Sequence, residues 1–196
     1  MKKFFGLLGL LTISVAYSQS FGFKGGVNIS TISKENGWSD TNSKIGYYAG
    51  VYMYAPVNSV FSIQPELIYN NMGVKYENGK TSHTLNLDYI AMPIMFQFQP
   101  IPKFYLEAGP QLGFLVANKN KYESNNKTII EKDKDAYNQF DLSVGLGLGF
   151  KFNNMAIGVR YLAGFTDIKK NGSTSWNNSD KQLRNNGLQI GLQYGF

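Results

Sequence analysis

One histidine, His83, carries most of the acid–base potential of this 196-residue chain. Ser82 precedes it and Asp88 follows five positions later, and a histidine, a hydroxyl and an acid can run nucleophilic hydrolysis if they converge in space. A histidine between polar neighbours is otherwise a solvated surface group. A lone histidine builds no multi-histidine metal site. Glu131, Asp133 and Asp135 could hold calcium weakly, but Lys132 and Lys134 stand between them and cancel much of the charge. Gly145-Leu146-Gly147-Leu148-Gly149 has the glycine content of a phosphate loop without its context, since it opens no helix and repeats with period two. There is no cysteine, hence no disulfide, thiolate metal site or thiol nucleophile. The sequons at Asn28, Asn126, Asn171 and Asn177 carry no chemistry of their own. The expectation is a protein with no catalytic residues, no cofactor and no metal.

The elements that position these groups are strands. Leu188, Ile190, Leu192, Tyr194 and Phe196 alternate with Gly187, Gln189, Gly191, Gln193 and Gly195. From Gln139 onward, Phe140, Leu142, Val144, Leu146, Leu148, Phe150 and Phe152 alternate with Asp141, Ser143, Gly145, Gly147, Gly149 and Lys151. Six further segments alternate similarly, at about Ser20–Thr31, Lys44–Ala55, Val60–Asn71, Thr84–Phe98, Phe104–Ala117 and Met155–Thr166. Their connections alternate between short (Pro56–Ser59, Gln99–Lys103, Asn153-Asn154) and long (about Ile32–Ser43, Gly73–His83, Asn118–Asn138, Asp167–Asn186). Short turns on one side and long loops on the other are the asymmetry of an outer-membrane barrel. The fold expected is all-β, an eight-stranded antiparallel up-and-down transmembrane β-barrel over residues 19–196.

Alternation does not say which face meets lipid; a soluble up-and-down barrel turns its apolar residues inward. Here the other face is glycine and polar groups, which suits the narrow interior of eight strands. Lys24, Glu66, Glu107, Asp141, Lys151 and Arg160 lie on it at mid-strand, and buried ions must pair, so an internal network of these six is expected. Leu85, Leu87 and Tyr89 are placed with the lipid-facing set, opposite Asn86 and Asp88. Phe21, Phe61, Phe98, Phe104, Phe150, Phe152 and Phe196 would ring one membrane interface, and Tyr47, Tyr69, Tyr89, Phe140, Tyr161 and Phe165 the other. Pro65, Pro93 and Pro110 fall inside strands, where bulges or twisted ends are expected.

Met1-Lys2-Lys3, an apolar run from Phe4 to Val15 and then Ala16-Tyr17-Ser18 read as an export signal cleaved after Ser18. Without Lys2 and Lys3 the formal charge falls from +6 to +4, which suits anionic headgroups and excludes a nucleic-acid stripe. The compartment expected is the outer membrane. The partners expected are outer-membrane lipid, the barrel-insertion machinery, and a surface ligand or envelope protein at the loops.

Four blocks carry a resemblance: Phe23-Lys24-Gly25-Gly26-Val27-Asn28, Leu87–Ile94, Leu106–Gly113 and Phe140–Gly149, together with Arg160-Tyr161 and the final aromatic. The chain resembles the outer-membrane β-barrel family common in Bacteroidetes, often labelled PorT-like. The resemblance covers nearly the whole exported chain. It implies an eight-stranded outer-membrane barrel whose C-terminal aromatics, here Tyr194 and Phe196, help the insertion machinery recognise it. It supplies no shared activity. The leading functional expectation is a structural or interaction barrel working through its long loops. The alternatives are an accessory role in protein secretion, from the family label, and a lipid-modifying site at the external rim built on His83.

Overall fold

In a computed structural model the described residues are 19–34, 42–78, 81–124, 127–131, 137–169 and 183–196. The export segment with its cleavage site, Asp133, Asp135 and the sequons at Asn126, Asn171 and Asn177 lie outside them. The strands are β1 (Ser20–Lys34), β2 (Asn42–Pro56), β3 (Phe61–Asn78), β4 (Thr81–Ile101), β5 (Phe104–Ser124), β6 (Lys127–Glu131), β7 (Phe140–Phe152), β8 (Met155–Gly164) and β9 (Leu183–Gly195). All pairings are antiparallel and join chain neighbours, apart from β5 with β7, which passes over β6, and the closing pair of β1 with β9. The last strand returns to the first, with Gly22 opposite Gly195 and the Phe196 amide donating to the Phe21 carbonyl at 2.9 Å. Among the described residues eight strands close the wall, and β6 pairs only with the outer end of β5.

Tight turns join the strands at the end where β1 starts and β9 finishes. Asn58 accepts the amides of Val60 and Phe61 on its side-chain oxygen at 2.9 and 2.8 Å. Lys103 and Asn153 take left-handed backbone conformations, with φ of 72° and 52°. Asparagine tolerates that region because its short polar side chain bonds locally.

The middle of the wall is apolar outside and polar inside. Val27, Val51, Leu67, Ile94, Leu106, Leu146, Ile157 and Ile190 are exposed on the outer face, while Lys24, Gln64, Glu66, Gln97, Glu107, Arg160 and Gln189 are buried within. Phe21, Phe61, Phe98, Phe150, Phe152 and Phe196 are exposed at one edge of that band, and Tyr47, Phe140, Tyr161 and Phe165 at the other. Phe61 packs on Phe98 at 4.9 Å and Phe114 on Phe140 at 4.9 Å, so cross-strand pairs build both girdles.

Beyond the external girdle the pattern inverts, and here the sequence expectation needs correction. Leu85, Leu87 and Tyr89 point inward, with Leu87 wholly buried, whereas Asn86 and Asp88 lie on the outer face. Tyr89 is therefore no girdle residue. With Ile32, Met72, Val74, Tyr137 and Ile168 these three residues form one apolar cluster inside the outer end of the ring. The cause is solvent. Outside lipid a wall is wet on its outer face, so apolar side chains gain by facing in, at about 1.5–3 kcal/mol for each fully buried large one. β4 keeps its in–out phase throughout; only the chemistry of each face changes.

Two of the expected long loops are strands. β3 and β4 continue to a short connection with Tyr76 opposite His83, and β5 runs to Ser124 and turns back as β6. Gly73, at φ 137°, sits within β3 where an added side chain would run into the Leu85 carbonyl.

The prolines also depart from expectation. Register runs unbroken past all three: Pro65 lies opposite Ile94, Pro93 opposite Gln111 and Pro110 opposite Val144. A proline removes one ladder donor and keeps a backbone angle that an extended strand can absorb, so it adds no residue. The register shifts fall instead between Ser43 and Tyr48, between Asp88 and Tyr89, and between Phe98 and Ile101.

Candidate functional site: a sealed lumen and an external sheet

Four of the six expected lumen charges meet at mid-barrel. Arg160 reaches from β8 across the ring to β3, donating from Nη1 and Nη2 to the two Glu66 oxygens at 3.0 and 2.8 Å. Its Nε donates to Glu107 on β5 at 2.7 Å. Lys24 on β1 donates to Glu66 Oε1 at 2.8 Å. Two cations and two carboxylates cancel, and the side chains of all four are at most 4 % exposed. The fork of Arg160 supplies the bidentate geometry that a buried ion pair needs to offset its desolvation.

Asp141 and Lys151 do not join this cluster. On β7 the residue level with Glu107 is Gly147, and Asp141 and Lys151 lie six and four positions away along the strand. At about 3.3 Å per residue that is roughly 20 and 13 Å, beyond side-chain reach. Asp141 accepts instead from the Thr166 hydroxyl at 2.9 Å. Lys151 stands at the tight-turn mouth, its amine 4.3 Å from the Tyr54 ring centre and 5.2 Å from that of Tyr105, with Gln99 Oε1 at 3.4 Å.

A chain of amides, which the charge pattern did not reveal, extends the network towards that mouth. Gln97 donates to Gln64 Oε1 at 3.0 Å and to Glu107 Oε2 at 3.3 Å. Gln64 donates to Glu66 at 2.9 Å and to Gln193 at 3.3 Å, and Gln193 donates to the Tyr105 hydroxyl at 3.2 Å. Inward tyrosines lie over glycines of neighbouring or facing strands: Tyr105 over Gly149 and Gly158, Tyr48 over Gly191, Tyr52 over Gly22. A methyl group at Gly22 would come within 2.5 Å of the Tyr52 ring. Abundant glycine opposite inward tyrosine was the available signal for this packing.

Around the charge cluster the residual space is about 10 Å³, bounded by Lys24, Tyr48, Glu107 and Arg160. One water needs about that much. A wider cavity of about 320 Å³ opens at the tight-turn mouth beside Tyr54, Gln99, Lys151 and Gln193. The lumen is thus filled at two levels, by ions and amides in the middle and by the apolar cluster above.

His83, Ser82 and Asp88 do not converge. His83 is stacked on the Tyr122 ring at 4.3 Å and faces Tyr76 at 6.0 Å, in a row crossing β3, β4 and β5. Ser82 is its neighbour along the strand, and Asp88 lies on the outer face, where the Asn71 amide donates to it. His83 sits beyond the apolar band; burial holds its pKa below the ordinary value, against a hydrogen bond with Asn120 that raises it. Among the described residues no group of three or more His, Cys, Asp or Glu is placed to hold a metal ion. At the closing strand Tyr194 and Phe196 are exposed on the outer face, with Phe196 edge-on to Phe23 at 5.2 Å.

The model of the outer membrane protein beta-barrel domain matches residues 17–170. The chain belongs to that family. No curated protein matches the sequence. Among solved structures, this outer-membrane barrel is similar to Ail, the attachment invasion locus protein of Yersinia pestis, at 13% identity and TM-score 0.52, covering 91% of this chain and 99% of that one. Neisserial surface protein A is similar to the same degree, with 13% identity, TM-score 0.52 and coverage of 91% and 99%. Ail has also been solved with the heparin analogue sucrose octasulfate, a structure 14% identical at TM-score 0.51 over 91% of this chain and 99% of that one. At such identity these likenesses show the shared fold.

Proposed function

We propose that this small outer-membrane barrel is a filled, non-catalytic scaffold that holds an external sheet and its loops out to a surface ligand or an envelope protein. The observation that carries the reading is the contrast between its two parts. The lumen is occupied by the Lys24–Glu66–Arg160–Glu107 cluster, while β3 to β6 run on past the external girdle as a paired sheet. An interior of that kind supports a plug rather than a path. The binding of a heparin analogue by Ail supports an external ligand for a barrel of this shape. On the same reading the chain is exported behind residues 1–18, cleaved after Ser18, and Tyr194 and Phe196 are the feature that the insertion machinery reads. Cells making the full chain can be compared with cells making a variant whose residues 119–135 and 167–186 are replaced by short turns. Both barrels should remain heat-modifiable on gels, and only the full chain should promote adhesion to glycan- or protein-coated surfaces. Equal adhesion by the two would overturn the proposal.

A further inference from the structure

β6 is an edge. Among the described residues it pairs with β5 alone, its other side meets no strand, and Ile129 and Ile130 are 58% and 52% exposed. A short exposed edge is a template for another strand unless something covers it. Its sequence, Lys127-Thr128-Ile129-Ile130-Glu131, starts on a cation and ends on an anion, so its end charges complement those of a second, antiparallel copy. If a second β6 lies antiparallel and centred on Ile129, Lys127 of each copy stands opposite Glu131 of the other and the two Ile129 residues meet on the two-fold axis. We propose that β6 is a homotypic docking edge, the occupant being β6 of a second copy of this chain.

The register extends the surface. Tyr76, His83, Tyr122 and Ile129 are paired in one row across β3, β4, β5 and β6. Pairing two edges continues that row into its symmetry mate as a single apolar stripe. Opposite charges directly across a strand pair stabilise it and like charges weaken it, so the two Lys–Glu positions select this register.

Topology decides where the second copy sits. Antiparallel pairing needs a two-fold axis perpendicular to the sheet, and this sheet stands up from the membrane as a continuation of the barrel wall. The axis therefore inverts one barrel relative to the other. The two copies belong in facing membranes rather than side by side in one. Tyr122 lies eight residues beyond Phe114 along β5, which after tilt puts Ile129 about 20 Å above the girdle and the two apolar bands about 40 Å apart. The contact is one between cells or vesicles. It rests on the reading of the external sheet as the binding face and names its partner.

The full-length barrel, refolded into phosphatidylcholine–phosphatidylglycerol vesicles, provides the test by light scattering, with gel heat-modifiability as the control for folding. Wild-type vesicles should aggregate. K127E alone and E131K alone each set like charges opposite one another in a homotypic pair, and either should lower aggregation about tenfold or more. Mixing K127E vesicles with E131K vesicles restores both opposite-charge pairs and should restore aggregation. Dispersed wild-type vesicles would overturn the proposal, as would single variants that aggregate like wild type or a mixture that does not recover. Those failures leave adhesion to other surfaces, judged by the loop-replacement experiment, untouched.

Discussion

Replacing Arg160 with methionine keeps much of the side-chain volume and removes the cation that spans the lumen. Three charge-assisted hydrogen bonds are lost, two to Glu66 and one to Glu107. Glu66 retains Lys24, Glu107 is left with the Gln97 amide, and the cluster changes from two charges of each sign to a net excess of one carboxylate. Removing one partner of a buried pair typically costs about 3–5 kcal/mol, because the remaining charge stays desolvated. All four residues are buried, so no solvent screening discounts the figure. R160M should therefore unfold from lipid vesicles at lower urea, with a loss of that size in circular dichroism and gel mobility. Adding E66Q rebalances the site as Lys24 against Glu107 and should recover part of the loss. An R160M barrel within about 1 kcal/mol of wild type would refute the network as a structural element.

Other outcomes follow from the same geometry. Gly149→Val places a branched side chain against the Tyr105 ring and should destabilise the barrel by about 1–3 kcal/mol in the same urea assay, as overpacking does. Leu146→Arg puts a charge on the lipid face near mid-wall and should cost about 2–4 kcal/mol, whereas Lys119→Arg, above the band, should cost nothing measurable. His83 is held below its ordinary pKa, so the folded sheet binds fewer protons than the open one. Its contribution is complete above the unfolded value of about 6.5 and is lost as pH falls through it. Amide protection factors in β3 to β5 near Tyr76 and Tyr122, corrected for the intrinsic exchange rate at each pH, should fall below about pH 6.5, and His83→Phe should remove that dependence.

The sequence made the wall legible because lipid imposes a single rule on every strand crossing it. Leu146 and Leu148 face out and Gly145 and Gly147 face in, and the same rule picks out Lys24, Glu66, Glu107 and Arg160 as interior charges. Asp141 and Lys151 obey the rule and still stand apart, because alternation gives a residue's face and says nothing of its height. The external part escapes that rule for a different reason. Leu85, Leu87 and Tyr89 look like lipid-facing residues, and only the length of β4 shows that they have left the lipid. The β5–β6 hairpin was hidden by its polar composition, since Asn118 to Glu123 reads as loop until Ile129 and Ile130 supply the strand that pairs with it.

The apolar face of the barrel turns from outside to inside at the external edge, giving a filled wall topped by a folded sheet. The natural absence of cysteine allows a direct test with single cysteines at Leu85, Asn86, Leu87 and Lys119 in vesicle-inserted barrels, using a membrane-impermeant maleimide. Asn86→Cys and Lys119→Cys should be modified rapidly, while Leu85→Cys and Leu87→Cys should stay protected until the barrel is unfolded. Rapid modification at 85 and 87 with protection at 86 would contradict the account.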